Sequence, residues 1–121
     1  MLKQHTLGES INFAVQGIYH AFRENRNVRI HFAIAALVII AGIFLGVSRL
    51  ELIILLVMII LVMSSEMINT SIEEMTDLIT TEHKLEAEIA KDVAAGTVLV
   101  TSIGAAIVGV IIFLPYVLRL I

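Results

Sequence analysis

Glu66, Asn69, Thr70, Glu73 and Asp77 come after the unbroken apolar stretch Leu52–Met63. At about 100° per residue they fall within roughly 100° of one another on a helix. A carboxylate at the edge of hydrocarbon is costly, so it needs a partner, a cation or a chemical task. Two acids and an amide stacked over about three turns form a place where a metal and a proton can be handled. Glu66 is the deepest acid and has two readings. Burial favours the neutral carboxyl and a nearby cation the carboxylate, so such a group can be tuned for general-base work. The plainer reading is a buried carboxyl bonded to a neighbouring helix. Asn69, one turn on, can orient a carboxylate or a hydroxyl through its amide. Glu73 lies closer to water and can hold Mg²⁺ through one or two oxygens, because that ion keeps waters and shares its shell with phosphates. Without Glu66 and Asn69, the acids Glu73, Glu74 and Asp77 read as a solvated helix end.

Other polar residues add to this face. Lys91 and Asp92 are expected to open a later helix. Singly they read as a snorkelling lysine and a capping aspartate. Together they supply a phosphate-binding cation and a second acid across from Glu73. His83 reads as an exposed loop histidine. Arg23, Arg26 and Arg29 recur every third residue, which suits a topogenic role and contact with anionic headgroups. Gly42-x3-Gly46 and Ala105-x3-Gly109 are small-xxx-small patterns that allow close helix contact, including between subunits. The chain lacks a phosphate-binding G-x4-GK[ST] loop, a kinase glycine loop and a Cys/His zinc spacing, so any nucleotide is held outside the common soluble folds.

The elements that carry these residues are membrane helices. The 121 residues are 59% hydrophobic, with a mean hydropathy of +0.99, far outside soluble composition. With no cysteine there is neither a disulfide framework nor thiol chemistry. Met1–Ser10 is too polar for the apolar core of a cleaved leader. Three segments are long enough to span a bilayer, at about 29–47, 50–78 and 90–120. Ser48, Arg49 and Leu50 form a tight hairpin between the first two, and Thr80–Glu88 is a longer polar connection to the third. Ile11, Ala14, Val15, Ile18 and Phe22 repeat with helical spacing, predicting an amphipathic surface helix over about 8–26. Lys3, Arg23, Arg26, Arg29, Lys84 and Lys91 fall on one side, and Arg49 and Arg119 on the other. The positive-inside rule places the N-terminus and acidic loop in the cytoplasm and the C-terminus outside. The whole chain, 1–121, reads as one all-α integral-membrane domain.

Glu66-Met67-Ile68-Asn69-Thr70-Ser71-Ile72-Glu73, then Asp77, then Ala90-Lys91-Asp92 with Ala94-Ala95-Gly96, resembles the prokaryotic diacylglycerol kinase family. Asn27-Val28-Arg29-Ile30-His31 and Phe113-Leu114-Pro115 look most like its Gram-positive branch of undecaprenol kinases. The resemblance spans nearly the whole chain. It implies a membrane homotrimer with composite active sites at the cytoplasmic interface of the cell membrane. There the γ-phosphate of ATP passes, with magnesium, to a lipid alcohol. That alcohol is undecaprenol by branch, with diacylglycerol as the alternative.

By matching motif positions, the resemblance makes Glu66 the catalytic base and Glu73 a metal ligand that also meets the nucleotide. Asn69 supports the acceptor or the base, and Arg29 is counted with the acceptor site. Asp77, Lys91 and Asp92 contact or organise the nucleotide, with Glu82 and His83 near it. Phe13 falls where the family places an aromatic near the adenine. One position departs. The family usually has a metal-ligating glutamate four residues before the basic residue of the N-x-[KR]-I-H segment. Here that position is Asn25, which offers a carbonyl oxygen to metal and nucleotide but no charge. Glu24 is one place earlier, turned by about 100° on a helix.

A shared site also follows from size, since three short helices cannot enclose both ATP and a lipid. Phosphoryl transfer needs mainly positioning and charge neutralisation, which a small oligomer with Mg²⁺ can supply. The rival from another class is an oligomeric proton or ion channel or transporter subunit with Glu66 on the ion path. It leaves Lys91 and Asp92 unexplained and needs polar residues in the outer halves of the spans, where Ser48 and Arg49 mark only the turn. A structural scaffold leaves the Glu66/Asn69/Glu73 face unexplained.

Overall fold

The computed structural model describes residues 3–121. It is all helical: α1 (Leu7–Glu24), α2 (Arg26–Leu45), α3 (Arg49–Ile79) and α4 (Leu85–Leu120). The last three are long and apolar enough to cross a membrane. The chain therefore has the three long apolar helices that its hydropathy predicts.

α1 begins at a reciprocal capping box in which Thr6 accepts from the Glu9 amide and Glu9 accepts from the Thr6 amide. Such boxes satisfy two otherwise orphaned donors. The helix stops at Glu24, two residues before the expected limit, because Asn25 leaves helical space at φ −110° and ψ 112°. Asn25 closes one helix and opens the next. Its amide donates to Ala21 O at 2.9 Å, while its Oδ1 accepts from the Asn27 amide at 2.8 Å. Arg29 reaches back to donate to Phe22 O and Arg23 O at 3.0 and 2.7 Å, covering the carbonyls that a helix C-terminus leaves open. Along α1, Ile11, Val15, Ile18 and Phe22 remain exposed, so the chain does not itself cover that apolar stripe.

The α2–α3 turn lies earlier than the sequence suggests. α2 ends at Leu45, and Gly46 takes the left-handed conformation at φ 70°, which a Cβ would strain. Ser48 then caps α3, with Glu51 completing a second capping box. Arg49 and Leu50, expected in the turn, are already helical. Gly42 is buried against this hairpin, where an added Cβ would sit 3.4 Å from Val47 Cγ2 and 3.7 Å from Leu55 Cδ1. Gly42 thus lets α2 close onto α3 within the chain, whereas an added Cβ at Gly46 would meet nothing and that glycine serves the left-handed turn.

α3 touches all three other helices. Its 31 residues are about 46 Å long, well beyond a hydrocarbon core of about 30 Å. α4 starts at Leu85, about five residues before expectation, which shortens the connection to residues 80–84. The run Leu85–Lys91 is rich in good helix formers, and Glu86 and Glu88 favour the positive end of the helix dipole. Lys91 and Asp92 therefore lie in the second turn of α4 and do not open it; Lys84 occupies the cap. The far end is also less bare than the sequence reading has it. Tyr116 donates its hydroxyl to Glu51 Oε1 at 2.5 Å, and the Arg119 guanidinium lies 5.5 Å above the Tyr116 ring. The Tyr116–Glu51 bond ties α4 to the hairpin.

Candidate active site

The buried apolar residues are few, while Ser65, Glu66, Asn69, Thr70 and Thr76 are all buried on α3. The helix turns its polar stripe inward against its neighbours, while large apolar side chains such as Leu37 and Phe44 on α2, Ile60 on α3 and Val100 on α4 are exposed. A bilayer or another copy suits those faces, whereas water does not. Ser65, Thr70 and Thr76 return their hydroxyl protons to carbonyls one turn back on the same helix, so they are satisfied locally.

Glu66 is not. It is 1% exposed, with Oε1 3.2 Å from His31 Nε2 on α2, and Oε2 is buried without a partner. Asn69 donates weakly to Glu73 Oε1 at 3.3 Å, and its buried carbonyl oxygen is likewise unpartnered. A buried acceptor left unpaired costs about 1–3 kcal/mol. Two of them one turn apart mark a place where donors from a ligand would bind. His31 was not singled out by sequence reasoning. The available signal was an ionisable residue just inside an otherwise apolar span, a position that is functional by default.

The break at Asn25 faces this stripe, and its Nδ2 donates to Thr70 Oγ1 at 2.6 Å. Arg29, counted above with the acceptor site, spends its described hydrogen bonds on α1 carbonyls. Glu24 is exposed and 4.0 Å from Arg23 Nε. No group of three or more His, Cys, Asp or Glu that could hold a metal occurs among the described residues. The donors that α3 and the break do offer are the exposed Glu73 carboxylate and the Asn25 amide oxygen, which also accepts from the Asn27 amide. Both are hard oxygens, a set that fits magnesium when phosphates and water complete its shell.

Asp77, Glu82, His83, Lys91 and Asp92 are brought together. All five line one basin of about 580 Å³ under the α3–α4 connection. Lys91 Nζ is 2.5 Å from Asp77 Oδ1, His83 is 3.3 Å from Glu88, and Lys84 is 3.8 Å from Glu82. Asp77, Glu82, Glu88 and Asp92 outnumber Lys84 and Lys91 on its wall. A polyphosphate entering so acidic a basin needs added cationic charge. Glu66, Asn69, Glu73 and Asn25 do not line it, nor does any residue of α1. Phe13 stands apart as well, half-exposed on α1 with its ring edge-to-face against His5 at 5.0 Å. Within one chain the buried stripe runs through Glu73, whose charge reaches Lys91, to the basin, while Phe13 lies outside both.

α1 docks on α3 through a second contact, His20 Nε2 to Glu74 Oε1 at 2.7 Å. That hydrogen bond, reinforced by the Glu74 charge, raises the His20 pKa above the ordinary imidazole value.

The sequence model of the family described as prokaryotic diacylglycerol kinase matches residues 12–113. The chain is 40% identical over 107 residues to an undecaprenol kinase of Bacillus subtilis (strain 168), covering 88% of this chain and 87% of that protein. It is 40% identical over 113 residues to a diacylglycerol kinase of Synechocystis sp., covering 92% of this chain and 64% of the other. A diacylglycerol kinase of Haemophilus influenzae is 32% identical over 103 residues, 84% of each chain.

Proposed function

The chain belongs to the prokaryotic diacylglycerol kinase family, and we propose that it moves the γ-phosphate of ATP onto the hydroxyl of undecaprenol, giving undecaprenyl phosphate. Lipid kinase activity follows from the family. The choice of acceptor rests on the Bacillus subtilis relative, which this chain matches over most of both lengths. Diacylglycerol is the second reading, supported by the names of the other two relatives.

The observation that carries the chemistry is Glu66, buried with one carboxylate oxygen unpartnered. Its depth suits a lipid hydroxyl. Counting about 20 residues from Arg49 to cross the hydrocarbon brings α3 to the opposite interface near Asn69. Glu66 is thus at the level where a lipid alcohol meets water, with Glu73 and Asp77 beyond it on the side of the basin. In this reading Glu66 takes the hydroxyl proton, and Asn69 orients the acceptor or the base. Lys91, Asp92, Asp77, Glu82 and His83 receive the nucleotide, with Phe13 beside the adenine. Arg29 acts on the acceptor side. Glu73 and Asn25 would hold Mg²⁺, which when bound supplies the positive charge that the phosphates require.

The uncovered apolar faces, with a basin that no residue of α1 lines, support a homotrimer in which neighbouring chains complete each site. The Lys/Arg distribution supports a cytoplasmic N-terminus and basin and an external C-terminus. The single domain, the surface placement of α1 and the metal belong to the same proposal. Its test is ATP turnover by the purified protein in micelles containing undecaprenol, diacylglycerol or neither. The reading expects turnover that requires lipid and Mg²⁺, with the larger kcat/KM for undecaprenol. Turnover indifferent to lipid would reject it, and a larger value for diacylglycerol would move the acceptor to the second reading.

A further inference from the structure

His31 occupies two environments at once. Its Nε2 lies 3.2 Å from Glu66 Oε1. Its ring also helps line an apolar groove of about 490 Å³ between α2, α3 and α4, and it is the only titratable residue on that wall. Beside it the groove is built from aliphatic and methionine side chains such as Ile34, Leu55, Met58 and Val62. The pair is an ion-pair contact whose ring is not aligned as a hydrogen bond; an ionised carboxylate only accepts, so a slight turn of the ring closes it into one only with the proton on Nε2. Among the described residues His31 is the only ion-pair partner of the Glu66 carboxylate, and Oε2 has no hydrogen-bond partner.

We infer that His31 is a positioning residue for the base: its Nε2–H holds Glu66 Oε1 and thereby presents Oε2 to the acceptor hydroxyl. The inference rests on the kinase reading above. In the step, the acceptor O–H bond breaks and its proton passes to Oε2. The acceptor oxygen bonds to the γ-phosphorus while the bond from that phosphorus to the β–γ bridging oxygen breaks. The electron pair of that bond leaves on ADP. A glutamate without this anchor can turn about its own torsions. Misplacement of a reacting group by about 1 Å lowers rate by about a hundredfold. The imidazole and the Ser102 hydroxyl are the polar side chains on the wall of this apolar groove.

The test compares wild type, His31→Leu and His31→Gln with undecaprenol, ATP and Mg²⁺ in one micelle system. His31→Leu, which has no donor, is expected to lower kcat by about 10–100-fold, with the KM for ATP within about twofold of wild type. His31→Gln, whose amide donates from a similar reach, is expected to recover most of that loss. Near-normal kcat in His31→Leu, or equal loss in both variants, would overturn the inference while leaving the kinase reading intact. Wild type without lipid-dependent turnover would overturn the kinase reading, and this inference with it. Nitrogen-15 spectra of histidine-labelled protein give a readout that does not depend on activity. A proton on His31 Nε2, with a resonance that moves in Glu66→Gln, supports the contact, and a neutral ring carrying its proton only on Nδ1 overturns it.

Discussion

Asn25 donates its side-chain amide to Thr70 Oγ1 at 2.6 Å, and Thr70 passes its own proton to the backbone oxygen of Glu66 at 2.9 Å. The break between α1 and α2 is thereby tied to the turn of α3 that carries the buried acid. The same asparagine caps α2 through its Oδ1. A glutamate at this position could accept from an amide but has nothing to donate to Thr70.

Asn25→Glu is therefore expected to have opposed effects. The added charge should lower the Mg²⁺ concentration for half-maximal rate and raise kcat, because the cation is better held. The lost donor and poorer cap should destabilise the protein by about 1–2 kcal/mol, read as a lower melting temperature. Glu24→Gln should change neither quantity, since Glu24 is exposed. An unaltered magnesium dependence in Asn25→Glu would take position 25 away from the metal, and loss of activity in Glu24→Gln would hand it that role.

Glu66→Gln keeps the shape of the side chain and removes its ability to take a proton. Phosphoryl transfer should fall by about 10²–10⁴-fold, while nucleotide binding, measured separately by titration with a non-hydrolysable ATP analogue, stays near wild type. Turnover close to wild type would dismiss Glu66 as the base.

Much of this was legible because periodicity survives burial. The polar stripe from Glu66 to Asp77 and the three apolar runs are written in residue order, and the folded chain keeps both. The turns were misplaced for local reasons. Ser48-x-x-Glu51 and Thr6-x-x-Glu9 are capping-box patterns, and weighing the first would have moved the hairpin from Ser48–Leu50 to Gly46–Ser48. Glu86 and Glu88 resemble loop residues by charge but favour the first turn of α4. Asn25 could be read as the metal-facing position but not as a double cap, because that role depends on where Thr70 arrives. The His31–Glu66 contact was hidden for the same reason. It spans two helices, and α2 alone shows only a histidine near its start.

Lys91 Nζ lies 2.5 Å from Asp77 Oδ1, so this lysine of the basin is held against an acid of the neighbouring helix. A phosphate must compete for it. Lys91→Met should raise the KM for ATP by about 10–100-fold, the range of a charge-assisted hydrogen bond, and should change the KM for the lipid little. An unchanged KM for ATP would remove Lys91 from the nucleotide site.

His20 and Glu74 give the docking of α1 a pH dependence. Glu74 raises the His20 pKa through its hydrogen bond and charge, Glu24 adds to the effect, and Arg23 opposes it. A pKa raised in the docked state means that docking is favoured by protonation. The contribution is complete below the free imidazole value of about 6.5 and is lost as pH rises through the higher docked value. The Asn25–Thr70 bond lies at the other end of this contact and does not titrate, so α1 should pivot about the break and stay attached there. Spin labels on cysteines introduced at Gln16 and Leu78, both exposed, can follow this in a chain that has no cysteine of its own. Their distance distribution should be narrow at low pH and broaden as pH rises through that window. In His20→Gln it should be broad and independent of pH. A distribution that is the same in both proteins at every pH would show that the ion pair does not hold α1 in place.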